Sequence, residues 1–182
     1  RMLLFTASGF AREKKCWKTS FHLVWPDLII DMERAHVIRL RTIDLLNKES
    51  GMDGTYLNTL SQRIKRASGQ FDSGLPGDDM WSTIFDITGV RAGSLRMPYN
   101  DKVYRETKTL EGRPCIPVGE FEFRPNQYDK GGLDEIYCVT RPNEISVTKW
   151  IELGSVRCPD EPSLTPWCTP IPRADWTQRR IA

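Results

Sequence analysis

Hydrophobic positions recur along this chain in two rhythms. Residues 2–7 and 19–30 are apolar runs rich in Leu, Val, Ile, Phe and Trp, with the charged stretch 11–18 between them. Runs of this kind predict a pair of strands joined by a basic connection. From Met32 the period lengthens: Ala35, Ile38, Thr42 and Leu45 recur at i, i+3, i+7 and i+10, with Arg34, Arg39 and Arg41 off that stripe. The spacing predicts an amphipathic helix ending near Lys48. Thr55 is placed to cap a second helix, whose stripe is Leu57, Leu60, Ile64 and Ala67 and whose other faces carry Arg63, Lys65 and Arg66.

Beyond the helices the signals become shorter. Gly69, Gly74, Pro76 and Gly77 mark a loop. Residues 81–85 form a brief apolar run that reads as a strand delivering Asp86 at its end, and 94–98, 116–123 and 136–140 read as further strands. Residues 158–172 carry Pro159, Pro162, Pro166, Pro170 and Pro172, which predicts an extended segment laid over a surface. The order is β-β-α-α-β followed by more β, the pattern of an α+β domain with helices on one face of a mainly antiparallel sheet. The expected organisation is one core over residues 1–157 and a Pro-rich tail over 158–182.

Composition narrows the class of protein. At 182 residues, 39% hydrophobic and 27% charged, the chain has the make-up of an ordinary globular domain. It has no apolar run long enough to span a bilayer, and residues 1–12 are too interrupted for a secretory signal. The expectation is a soluble intracellular protein with no membrane partner, its compartment (nucleus, mitochondrion or virus-infected cell) left open. Cys16, Cys115, Cys138, Cys158 and Cys168 contain no C-x-x-C pair, so free thiols are expected in place of a zinc knuckle or a disulfide framework. A net charge of +2 means that affinity for nucleic acid has to come from a local basic cluster. The chain opens at Arg1 and runs at once into a strand-like segment, so it reads as part of a longer chain or as a processed one.

Two clusters carry candidate chemistry. Lys18, Ser20 and His22 alternate with Thr19, Phe21 and Leu23. On a strand the first three would share a face, spanning roughly 13 Å at about 3.3 Å per residue, while Phe21 and Leu23 enter the core. A cation, a hydroxyl and an imidazole in a row can grip a triphosphate; the same row also fits a solvated strand face that contains a His. In the second cluster Asp86 is followed by Arg96 and Lys102. A carboxylate at the mouth of a sheet suits a hard divalent cation, and the Arg fork and Lys point charge suit phosphate oxygens. Alone, this segment also fits a turn-capping Asp beside two surface cations. Asp53, Asp78 and Asp79 lie among glycines and read as turn residues, and His36 reads as a solvated helix side chain. Trp167, Trp176, Arg179 and Arg180 could stack on and pair with nucleic acid, or pack the tail on its own domain.

Taken in order, Lys-x-Ser-x-His at Lys18 to His22, then Asp86 after two helices, then Leu95-Arg96 with Lys102 beyond it, resembles the second and third motifs of archaeo-eukaryotic primases. The likeness is strongest to eukaryotic primase-polymerases and to the primase domains of large DNA viruses, and it covers residues 2–103. It implies that Lys18, Ser20, His22, Arg96 and Lys102 bind the incoming nucleotide's triphosphate, and that His22 and Asp86 serve catalysis, Asp86 as a metal ligand. It implies a primase-type, RRM-like palm, of which this chain holds the part with the second and third motifs. The family's first motif, an acidic pair, is expected upstream of Met2. By the same resemblance the protein is a template-directed nucleotidyltransferase that makes or extends primers on a single-stranded template, using two Mg²⁺ or Mn²⁺ ions. Its partners would then be nucleoside triphosphates, the template strand, and a helicase or a larger replication or ribonucleoprotein assembly. The alternatives are a primase-derived structural or RNA-binding subunit without catalysis, and a general α+β nucleic-acid-binding module.

Overall fold

The computed structural model describes residues 1–68, 80–87, 95–104, 106–124 and 135–155. They divide between two compact units, one of Arg1–Ile29 and Ser94–Ser163, the other of Ile30–Gly93 and Leu164–Ala182. The described residues are α+β, as expected, and their main sheet is antiparallel. None of their helices is long and apolar enough to cross a membrane. The glycine-rich loop, Asp78, Asp79 and the Pro-rich tail lie outside the described residues.

The first unit is built around β1 (Met2–Thr6), which lies between β4 (Phe21–Val24) and β5 (Ile116–Arg124); β6 (Glu135–Thr140) flanks β5, giving the order β4-β1-β5-β6. Leu3 and Phe5 alternate inward along β1 and bury completely with Ala7, Cys115 and Trp150. Trp150 comes from α4 (Val147–Gly154), a helix capped by Ser146, whose hydroxyl accepts the Lys149 N–H at 3.2 Å. The Trp150 indole stands edge-on to Phe5 at 5.9 Å and donates to the Pro142 carbonyl at 3.0 Å, so its one polar atom is satisfied. Helix and strand approach so closely that a Cβ on Gly154 would lie 2.5 Å from Phe5 and 2.6 Å from Pro98. Glycine at 154 thereby lets α4, the sheet and the segment from Leu95 share one core.

The register of β4 reverses an expectation. His22 pairs with Phe5 and Val24 with Leu3, whereas Phe21 and Leu23 pair with Thr6 and Leu4. Because Leu3 and Phe5 define the core side, His22 and Val24 share it. Phe21 and Leu23 stay 58% and 38% exposed on the opposite face. Lys18, Ser20 and His22 are also not one strand. Lys18 closes β3 (Cys16–Lys18), which pairs with β2 (Gly9–Ala11) as a separate hairpin within the expected basic connection. Residues 95–98 form no strand either: Pro98 and Tyr99 make a turn, Tyr99 has φ 64°, and its N–H is held by the Cys115 carbonyl at 2.6 Å.

In the second unit α1 (Met32–Ser50) begins at Asp31, whose carboxylate accepts the Arg34 N–H at 2.7 Å. The helix α2 (Tyr56–Ser68) begins at the expected cap, with Thr55 Oγ1 accepting the Asn58 N–H at 3.1 Å. Residues 81–85 belong not to a strand but to the short helix α3 (Met80–Ile84) and the bend after it. Met80 and Trp81 bury with Ile43 against Leu46, Leu57, Leu60 and Ile64. Arg39 explains why α3 is helical and why the stripe read along α1 is shifted. Its buried guanidinium donates to the carbonyls of Phe85 at 2.7 Å and Ser82 at 2.8 Å, the acceptors a short helix leaves open at its end. Arg39 therefore lies on the same side of α1 as the buried Ile43, one turn further on, while Leu45 is exposed.

Candidate phosphate-binding site

His22 is half-buried at the β4 edge of the sheet, with Nδ1 3.6 Å from the Sγ of buried Cys115. Burial, and then the charge of Arg96, hold its imidazole below the ordinary value of 6.5, so it is neutral at pH 7. Burial raises the Cys115 thiol, and the nearby Arg96 only partly opposes this. A protonated thiol beside an uncharged imidazole suits S–H donation to Nδ1, which leaves the ring proton on Nε2.

Arg96 reaches this place from the 95–104 segment and is anchored there by Nη1 donating to the Arg113 carbonyl at 2.6 Å. Arg113 is the hub of the frame. Its buried side chain pairs with Glu111 at 2.5 Å and donates through Nη1 to the Ala7 carbonyl, just past β1, at 3.0 Å. Its backbone N–H and that of Gly112 donate to the Asp101 carboxylate at 3.0 and 2.6 Å. Burial works against the Asp101 charge. The N–H groups of Arg113, Gly112 and Lys102, with the charge of Arg96, outweigh it and hold the carboxyl below its usual range.

Lys102 follows directly, its N–H on Asp101 at 2.7 Å, its carbonyl accepting the Glu111 N–H at 2.9 Å and its ammonium 5.4 Å from the Tyr104 ring centre. Ser20 is tied at the entry to β4: its N–H donates to Ser8 Oγ at 3.0 Å and its carbonyl accepts the Ala7 N–H at 2.9 Å. Lys18 is exposed at the end of the hairpin.

Of the expected residues, His22 and Arg96 lie within electrostatic reach of each other. Lys102 belongs to the frame that anchors Arg96, and Ser20 and Lys18 lead into β4. Asp86 belongs to the other unit, exposed, in the turn after α3. The residues missed from sequence are Cys115, Asp101, Glu111 and Arg113. Their pattern reads as a charged loop, and nothing in the spacing says that the Glu and Arg turn inward.

A neutral imidazole N–H donor and a fixed guanidinium can together bind an anion with dispersed charge, such as phosphate. The fit to divalent metal is different. Among the described residues no group of three or more His, Cys, Asp and Glu side chains could hold an ion. Compared with known proteins, the chain matches no family model, no curated protein and no solved structure, so the primase resemblance rests on the residues that carry it.

Proposed function

We propose that the chain binds a nucleoside triphosphate through His22 and Arg96, aided by Lys18, Ser20 and Lys102, as the nucleotide-binding part of a template-directed nucleotidyltransferase of primase or primase-polymerase type. The observation that carries this reading is that His22 and Arg96, from distant segments, are both held at residues 113–115, Arg96 on the Arg113 carbonyl at 2.6 Å and His22 with Nδ1 3.6 Å from the Cys115 Sγ, the imidazole uncharged near the permanent cation. An arginine beside a protonated histidine is repulsive; a phosphate between them would screen the guanidinium and accept a hydrogen bond from the imidazole. The frame from Asp101 to Arg113 supplies the rigidity a phosphate clamp needs, because it holds the Arg96 guanidinium on the Arg113 carbonyl and ties the chain around Arg113 to Asp101. Asp86 would be one carboxylate of the Mg²⁺ or Mn²⁺ site, and the resemblance assigns the remainder to a motif outside these residues.

The test is titration with a fluorescent nucleoside triphosphate in the presence of Mn²⁺. Loss of a charge-assisted phosphate contact costs about 1.5–3 kcal/mol, so His22→Ala and Arg96→Ala should each weaken binding on the order of tenfold to a hundredfold. Followed by NMR, triphosphate binding should also raise the His22 pKa, since the anion offsets the charge of Arg96. A folded wild-type chain that binds no triphosphate refutes the reading.

A further inference from the structure

The hairpin of β2 and β3 is a two-stranded piece separate from the main sheet, and its exposed face is not explained by packing. Phe10 and Trp17 are partners in the register, so they share a face, with ring centres 6.0 Å apart and planes at 72°. Trp17 is 81% exposed and Phe10 44%. Ala11, by contrast, is buried and anchors the hairpin. A tight turn, with the Lys15 N–H on the Arg12 carbonyl at 3.3 Å and Lys15 at φ 49°, places exposed Arg12, Lys14 and Lys15 at the tip. Glu13 is the only acidic residue from Gly9 to Lys18.

We propose that this hairpin holds single-stranded nucleic acid, with a base stacked on the Trp17 indole and the backbone phosphates on Arg12, Lys14 and Lys15. Aromatic faces bordered by cations are how single strands are held without sequence reading, because every base has a π face and every nucleotide a phosphate. A bilayer fits less well, since the tip is entirely charged and offers no apolar residue between Ala11 and Cys16 to insert. An acidic peptide would pair with the cations and leave the flat indole unused. The inference deepens the nucleotidyltransferase reading and rests on it for the identity of the strand as template: Lys18 closes the hairpin and Ser20 follows at the entry to β4.

Fluorescence anisotropy of a labelled oligothymidylate, with the full chain and no triphosphate or divalent ion, tests it. Trp17→Ala should weaken binding about tenfold, within the range for loss of one stacking ring, while Trp17→Phe, which keeps a ring, should lose far less. The double variant Lys14→Gln/Lys15→Gln should lower the slope of log affinity against log salt by about 1.4, the value for two phosphate contacts on a single strand. Affinity unchanged in Trp17→Ala, or lost equally in Trp17→Phe, overturns the proposal. So does Trp17-dependent binding that is tighter to anionic lipid vesicles or to polyglutamate than to the oligonucleotide. Because no triphosphate is present, failure here leaves the triphosphate site standing, and failure of the triphosphate titration leaves this result standing.

Discussion

Replacing Arg113 with Met isolates what holds the frame around Arg96 together. The side chains of Arg113 and Glu111 are only 4% and 2% exposed, and their contact is 2.5 Å. Met keeps most of the stem volume but leaves the Glu111 carboxylate buried with the Tyr104 hydroxyl at 3.1 Å as its described side-chain partner, and leaves the Ala7 carbonyl without the Arg113 donor. Breaking one side of a buried pair costs about 3–5 kcal/mol, mostly through the stranded charge, whereas removing both charges costs much less. Arg113→Met should therefore cost about 3–5 kcal/mol, and Arg113→Met/Glu111→Met only about 1–2 kcal/mol, the residue of lost hydrogen bonds. Urea unfolding followed by tryptophan fluorescence reads both, and the double-mutant cycle separates the stranded charge from the rest.

The pH dependence of that cycle has a definite sign. In the wild type, burial disfavours the Glu111 charge, but hydrogen bonds from Arg113 and Tyr104 and the charges of Arg113 and Lys102 outweigh it, so the carboxyl lies below its ordinary 4.5. Its stabilising contribution is present above that value and is lost as pH falls through the lower folded value. In Arg113→Met the stranded carboxyl is free to protonate, so the penalty shrinks in acid as well. The gap between wild type and variant should narrow from pH 7 to pH 3. A single-variant cost below about 1 kcal/mol, a double variant costing the sum of its singles, or a gap independent of pH refutes the argument.

Three further outcomes follow from other contacts. Because the His22 pKa is depressed, the folded chain resists protonation there, and stability should fall as pH drops below 6.5 toward the folded value; His22→Gln should flatten that part of the urea-midpoint profile. Gly154→Ala inserts a methyl 2.5 Å from Phe5 and 2.6 Å from Pro98 and should cost about 1–3 kcal/mol in a thermal melt, with weaker triphosphate binding because the Arg96 segment moves with Pro98. Arg39→Met removes both donors from the end of α3 and should cost about 2–4 kcal/mol; a strand at residues 81–85 would make the change nearly silent.

Local rules found the elements whose signals are local. Thr55 reads as a cap and is one, and residues 116–123 and 136–140 lie within observed strands. The helix α4 had a readable signal in Ser146 as cap with Val147, Trp150, Ile151 and Gly154 at helical spacing, but it is only two turns long, and a stripe of that length is a weak periodic signal. The errors share a cause, which is that the deciding partner lies far away in the chain. A five-residue apolar run such as 81–85 carries no period of its own, and the buried Arg39 guanidinium at its end settles it as helix. Likewise Phe21 and Leu23 are more apolar than His22, so composition sends them inward, yet register against Phe5 sends His22 there.

That reversal bears on function more than any other difference. A histidine on the solvated side of β4 would titrate near its ordinary value and meet phosphate in competition with water. On the core side it is half-buried, neutral, 3.6 Å from a thiol and within the field of Arg96. The contribution of an imidazole N–H to anion binding grows as water is excluded, so the placement that composition argued against is the one that would favour the proposed phosphate contact of His22. The same burial makes Cys115 a sensitive probe of the arrangement. Cys115→Ser keeps a donor for Nδ1 and should preserve the Nε2–H tautomer in the ¹⁵N spectrum of His22, whereas Cys115→Val, similar in bulk but without a donor, should shift ring nitrogen populations toward the other tautomer. Identical tautomer populations in the two variants would show that the thiol contact does not orient the imidazole, and the proposed phosphate-binding role of His22 would then rest on Arg96 alone.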